Sequence, residues 1–177
     1  MLTNEQLRAK AARIRFFFSD VDGTLTDGCT YYSAVGEEMK KFSHIDGTGF
    51  FLLRKAGIVA GLITGENTHI VQRRAEKLQL IHCFLGVKDK VEIIKKFADE
   101  NNCSLDEIAF MGDDLNDLGL ITYAGLSFAA GNAHVLVKEK AHICCNTNGG
   151  EGAFREAVEM LLAFRGLDLH TVFNQNI

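Results

Sequence analysis

Apolar residues along this chain fall into two patterns, short uninterrupted runs and longer stretches at helical spacing. Ile14 to Ser19 (IRFFFS), Ile58 to Ile63 (IVAGLI), Ile81 to Leu85 and Ile108 to Met111 are runs of the first kind. Bounded by turn residues, they read as strands buried on both faces. Helices are predicted between them, over Gly49 to Ala56 with Gly57 as its cap, Asn67 to Leu78, and Lys88 to Asn101. In the last of these, Val91, Ile94 and Phe97 share one face. A charged helical stretch, MLTNEQLRAKAARIR, precedes the first strand; a short helix starts at Asn116, and a longer one covers Glu151 to Phe164. Leu126 to Ala129 and His142 to Cys144 fit two further short strands. CTYYSAVGEEMKKF holds two segments about Ala34, Val35 and Gly36 and reads as a hairpin insertion over about 28–43. The final HTVFNQNI is too short and irregular to assign.

Strands alternating with helices predict right-handed crossovers and a Rossmann-like α/β fold, a mostly parallel sheet with helices on both faces. No repeat or linker interrupts the pattern, so one domain is expected over 1–177. In such sheets ligands bind beyond the carboxyl ends of the strands. The polar clusters of this chain fall just there.

Composition narrows the classes. At 47% hydrophobic and 24% charged, the chain is ordinary for a globular protein. A net charge of -4 argues against nucleic acid as a partner, because phosphate-tracking surfaces are basic. No apolar run reaches membrane-spanning or signal-peptide length. The five cysteines (Cys29, Cys83, Cys103, Cys144 and Cys145) form no C-x-x-C pair and no zinc spacing, so free thiols in a reducing, cytoplasmic setting are expected.

The first chemical cluster is Asp20-Val21-Asp22-Gly23-Thr24-Leu25-Thr26-Asp27-Gly28, directly after the FFF run. Residues two apart at a strand end point to the same side, so Asp20 and Asp22 can reach one pocket. Two carboxylates that close need a cation or a shared proton. One can then attack while the other carries a proton. A calcium loop also opens D-x-D, but it needs glycine at its sixth position and flanking helices; a plain polar turn remains the other reading. The second cluster, Gly112-Asp113-Asp114-Leu115-Asn116-Asp117, again follows a strand. Its hard oxygen donors suit magnesium, and it reads equally as an acidic helix start. Thr64-Gly65 ends the strand GLIT and offers a hydroxyl and amides to an anion, or marks a strand-to-turn step. Lys90 opens a helix, where the dipole does not favour it, and is otherwise a solvated charge.

Taken in order, D-x-D, Thr, Lys and G-D-D-x-x-D resemble the haloacid dehalogenase superfamily from about Ile14 to the closing helix. The resemblance implies that Asp20 is nucleophile and metal ligand. It implies that Asp22 is the acid/base, lending a backbone carbonyl to the metal. Thr64 and Lys90 would then hold the phosphoryl group. Asp113 would bind Mg2+, with Asp114 and Asp117 supporting it. The usual insertion points leave no room for a separate cap domain. DVDGTLTDG, MKKFSHIDGTGF, GDDLNDL and GGEGAFRE further resemble the capless sugar-acid phosphatases that act on 3-deoxy-D-manno-octulosonate 8-phosphate. In that family hairpins build a homotetramer and a neighbouring subunit covers each active site. Thr64-Gly65-Glu66, with Arg74 and Lys77, is also similar to the branch acting on nonulosonate 9-phosphates. There Glu66 would accept from sugar hydroxyls while Arg74 and Lys77 meet a carboxylate; a salt-bridged helix face is the plainer reading. Arg155 could likewise meet a substrate carboxylate or form a surface ion pair. A receiver-like phospho-switch module uses similar residues, but in another strand order.

Overall fold

A computed structural model describes residues 2–174. The elements are α1 (Asn4–Arg13), β1 (Phe16–Ser19), β2 (Thr26–Ser33), β3 (Gly36–Phe42), α2 (His44–Lys55), β4 (Val59–Ile63), α3 (His69–Lys77) and β5 (His82–Phe84). They continue with α4 (Lys90–Glu100), β6 (Ile108–Gly112), α5 (Leu118–Tyr123), β7 (Leu126–Ala129), α6 (Val135–Lys140), β8 (Ile143–Cys144), α7 (Ala153–Phe164) and α8 (Leu169–Asn174). Six strands form one sheet in the order β5-β4-β1-β6-β7-β8, every neighbouring pair parallel. β2 and β3 form a separate antiparallel pair.

The FFF run explains why β1 sits at the centre. Alternation sends Phe16 and Phe18 to one face, where both meet Phe97 of α4 edge-on at 5.0 and 4.9 Å. Phe17 points to the other face and packs on Phe154 of α7 at 5.1 Å. A strand covered on both sides is apolar without alternation, and its one polar residue, Ser19 at the end, donates its hydroxyl to the Asp20 carbonyl at 2.7 Å. After β1 the chain moves to β4 and β5 on one side, then crosses to β6, β7 and β8 on the other. Strand order therefore reverses at β1, and the crevice beyond the ends of β1 and β6 is the expected binding place.

Several boundaries differ from the sequence pattern. α2 begins at His44, capped by the Ser43 hydroxyl, five residues before the predicted start. The turn that was missed holds Gly47; Gly49 itself lies where an added Cβ would stand 3.0 Å from Phe154, so close packing against α7 outweighs helix propensity. β2 starts at Thr26, before the predicted hairpin. Two short helices were not predicted, α6 and α8; α8 docks Val172 into the core and sets Phe173 against Phe51 at 5.8 Å. The last three residues of the unassigned HTVFNQNI, and Met1 of the N-terminal helical stretch, lie outside the described residues.

Candidate active site

Asp20 is the first residue after β1, and its backbone N–H donates to the Met111 carbonyl of β6 at 2.9 Å. That bond places the two acidic loops side by side. The Asp20 carboxylate is buried and accepts a short bond from the Lys90 ammonium. Lys90, first residue of α4, also pairs with Asp117 Oδ1 at 2.6 Å. Asp117 is fully buried, and its other oxygen accepts from the backbone N–H groups of Asp113 and Asp114 at 2.9 and 3.3 Å. One carboxylate thus fixes both the lysine and the loop after β6. Asp114 is exposed and caps the next turn through the Leu115 N–H at 2.8 Å.

Asp113 Oδ1 accepts from the Thr24 hydroxyl at 2.7 Å. Glycine at position 23 is what allows this approach, since a Cβ there would lie 2.1 Å from Asp113 Oδ2. The same loop is backed by Gly149, where a Cβ would stand 1.7 Å from the Gly23 carbonyl oxygen. The Gly150 N–H donates to the Thr24 carbonyl at 3.0 Å. GGEG therefore buttresses the D-x-D-G-T loop.

Asp22 faces elsewhere. Its Oδ2 is 3.5 Å from the Thr64 hydroxyl, and its Oδ1 accepts from Lys40 of β3 at 2.5 Å. Thr64 is buried at the end of β4, and its hydroxyl oxygen accepts from the Glu66 N–H at 3.1 Å. Asp20, Asp22, Gly23, Gly28, Thr64, Gly65, Glu66, Asp113, Asp114 and Asn116 line an open cleft of about 370 Å³. Lys90 lies behind Asp20 rather than on the wall.

Oxygens of Asp20, Asp113 and Asp117 lie within 4.8 Å of one another. Burial, and then the neighbouring Asp117 charge, push the Asp20 carboxyl well above its usual range against the pull of Lys90. Burial also pushes Asp113 up to about 6, with Thr24 opposing and Asp117 and Asp114 adding to it. Burial alone would lower Lys90, but Asp20 and Asp117 outweigh it and hold the ammonium above its ordinary value. The imbalance of three carboxylates against one lysine is what a hard divalent cation would relieve, and all-oxygen donors fit magnesium.

Among the predicted specificity residues, Glu66 lines the cleft and the rest do not. Arg74 lies over Phe42 at 5.3 Å and donates to the Ser43 carbonyl at 2.9 Å, joining α3 to the foot of the hairpin. Lys77 is exposed in the last turn of α3. Arg155 pairs with Glu159 at 2.5 Å, one turn along α7. Lys40 was not foreseen: the sequence marks it only as one of two adjacent lysines in a hairpin strand.

Comparisons with known proteins agree with this arrangement. The family model for haloacid dehalogenase-like hydrolases matches residues 79–156. The 3-deoxy-D-manno-octulosonate 8-phosphate phosphatase KdsC of Yersinia pestis is 36% identical over 153 residues, 86% of this chain and 82% of the relative. A crystal structure of the Moraxella catarrhalis 3-deoxy-D-manno-octulosonate 8-phosphate phosphatase, in complex with magnesium, phosphate and KDO, has a TM-score of 0.91 at 32% identity. It is matched over 98% of this chain and 100% of that one. The cobalt-bound Haemophilus influenzae phosphatase has a TM-score of 0.88 at 34% identity, over 94% of this chain and 99% of that one. With that identity spread over nearly the whole length, the chain belongs to the haloacid dehalogenase superfamily, as a phosphatase of its capless sugar-acid branch.

Proposed function

We propose that this chain hydrolyses 3-deoxy-D-manno-octulosonate 8-phosphate to KDO and phosphate, with Mg2+ bound by Asp20, Asp113 and the Asp22 backbone carbonyl. The observation that carries the reading is the cleft itself: Asp20, Asp22 and Thr64 meet at one opening, with Asp113 beside them. The names of the Yersinia and Moraxella relatives supply the substrate.

In the proposed reaction an Asp20 oxygen attacks phosphorus while the bond from phosphorus to the sugar oxygen breaks. Asp22 gives its proton to the departing oxygen, and an aspartyl-phosphate remains on Asp20. Asp22 then takes a proton from the water that attacks this phosphorus, restoring Asp20 and releasing phosphate. Bound magnesium would neutralise the crowded carboxylates and polarise a phosphoryl oxygen. Lys90 keeps Asp20 oriented, and the Thr64 hydroxyl lies within reach of the transferring group. Asp114 and Asp117 support the metal site, Asp117 through its bonds to the Asp113 loop.

A nine-carbon substrate, a nonulosonate 9-phosphate, is the second reading, and the position of Glu66 in the cleft wall favours it. Arg74, Lys77 and Arg155 stay outside that wall within one chain. Tyr31, Tyr32, Val35 and Met39 are exposed on the hairpin, which supports its use in a homotetramer whose neighbouring subunit covers the cleft. No described helix is long and apolar enough to cross a membrane, and all five cysteines are free thiols, in keeping with a cytoplasmic enzyme. Magnesium-dependent phosphate release from the two sugar phosphates, measured side by side, tests the assignment. A kcat/KM preference of about tenfold or more for the eight-carbon compound is expected. The reverse preference would transfer the chain to the nonulosonate branch, and activity on neither would remove the substrate assignment.

A further inference from the structure

We propose that Lys40 is a positioning residue for the reaction, holding one oxygen of Asp22 from the β2–β3 hairpin so that the other, the one that would carry the proton, faces the cleft. The proposal rests on the reading of Asp22 as acid/base.

Asp22 sits on a turn at the cleft mouth, and its side chain is 29% exposed. A carboxylate there would turn freely unless held. Lys40 holds one oxygen at 2.5 Å, and Thr64 lies 3.5 Å from the other. Lys40 is itself fixed: its ammonium donates to the Thr30 hydroxyl at 3.2 Å and pairs with Glu37 at 3.4 Å. Asp22 and Thr30 thus take two of its three donors, with Glu37 a looser ionic neighbour. Thr30 is its cross-strand partner, so hairpin register sets where the ammonium lies.

Strand alternation sends Met39 and Lys41 outward, with Met39 57% exposed, while the Lys40 side chain is only 2% exposed. Sealing a lysine under a hairpin is unfavourable unless it is paired. Within the hairpin Glu37 offers an ion pair at 3.4 Å and Thr30 a neutral hydroxyl. The closest contact is the one to Asp22, eighteen positions away in another loop. Proton transfer to a leaving oxygen requires such placement, because the donor has to stand within hydrogen-bond reach.

The experiment compares kcat/KM for the sugar phosphate and for 4-nitrophenyl phosphate, whose leaving group departs without a proton. In Lys40→Met, kcat/KM for the sugar phosphate is expected to fall about 10- to 100-fold through kcat, with KM nearly constant. For the aryl phosphate it should fall less than about threefold. Equal losses on both substrates would mean that Lys40 serves only the fold, and no loss on either would leave it no role; both outcomes overturn the proposal. Asp22→Asn in the same assay should show the same skew more strongly. Should that variant lose both substrates equally, the acid/base reading itself fails and Lys40 falls with it. A skew in Asp22→Asn but not in Lys40→Met would sink the positioning role alone. Thr30→Val withdraws one support from the ammonium without removing a charge, and a smaller skew of the same sign is expected. It decides the matter if Lys40→Met does not fold, and equal activity ratios in Thr30→Val and wild type would then count against the proposal.

Discussion

Asp20 and Asp22 are two positions apart, yet they stand in different surroundings. Asp20 is buried among carboxylates with Lys90 as its counter-charge, whereas Asp22 stands at the opening with Lys40 and Thr64. Asp20→Asn keeps the shape and would remove the attacking oxygen of the proposed reaction, so turnover is expected to fall about 10⁴-fold or more. The fold should survive, because Lys90 retains Asp117 and one crowded charge is gone. Activity and thermal unfolding of the same preparation check this. Normal turnover would end the nucleophile assignment, and an unfolded variant would show that the Asp20–Lys90 pair holds the structure. At this scale the acidic residues were legible only as a set: each cluster alone also reads as a polar turn or an acidic helix start, and their order along the chain with Thr64 and Lys90 singled them out. Lys40 was not, since its partner lies in a loop that only folding brings near.

Among the elements, α7 links the core to the site. Its Phe154 is fully buried, stacks on Phe50 of α2 at 4.2 Å, and meets Phe17 of β1 at 5.1 Å. At its first turn, the buried Asp46 of α2 accepts from the Arg155 N–H at 3.1 Å. Burial holds the Asp46 carboxyl above its ordinary value, although backbone donors at Arg155, Gly152 and Phe154 oppose the shift. Phe154→Ala would empty the contact between α2, α7 and β1 at a cost of about 3–5 kcal/mol. For a chain of this length that corresponds to a loss of roughly 6–20 °C in Tm. Because the cleft residues come from other elements, kcat at a temperature where the variant is folded should stay within about threefold of wild type. Thermal unfolding and a rate measured on the folded variant test both halves; a Tm loss under about 3 °C would mean that the cavity collapses. The sequence marked α7 but started α2 at Gly49 and so missed its first turn, which holds Gly47.

For the whole molecule, the acidic crevice would couple cation binding to stability. Asp113 is raised from its ordinary value of 3.8 to about 6. Between those values the folded chain binds the proton more tightly than the unfolded chain does. The metal-free fold therefore loses stability as pH rises from about 4 to 6, and the loss persists above 6. Magnesium would replace that proton and reverse the loss. At about 100 times its Kd it should add about 2.7 kcal/mol, roughly 5–10 °C in Tm, at pH 7.5. At pH 5 the gain at the same magnesium concentration should be clearly smaller, since the cation then competes with the proton. Thermal scans with and without magnesium at the two pH values measure this. Equal gains would mean that the cation does not bind at Asp113.

By itself the sequence determined the α/β alternation, the buried central strand and the order of the acidic, Thr and Lys motifs. Those features are local: a run of phenylalanines has to be covered on both faces, and carboxylates after it have to emerge at a strand end. Tertiary structure alone decided which of the charged residues meet. Glu66 enters the cleft, Arg74 turns to Ser43 and Phe42, and Lys40 reaches Asp22 from the hairpin. The reason is physical: a strand or helix period is written along the chain, but a contact between side chains of different elements depends on how those elements pack and on register, which no local pattern records.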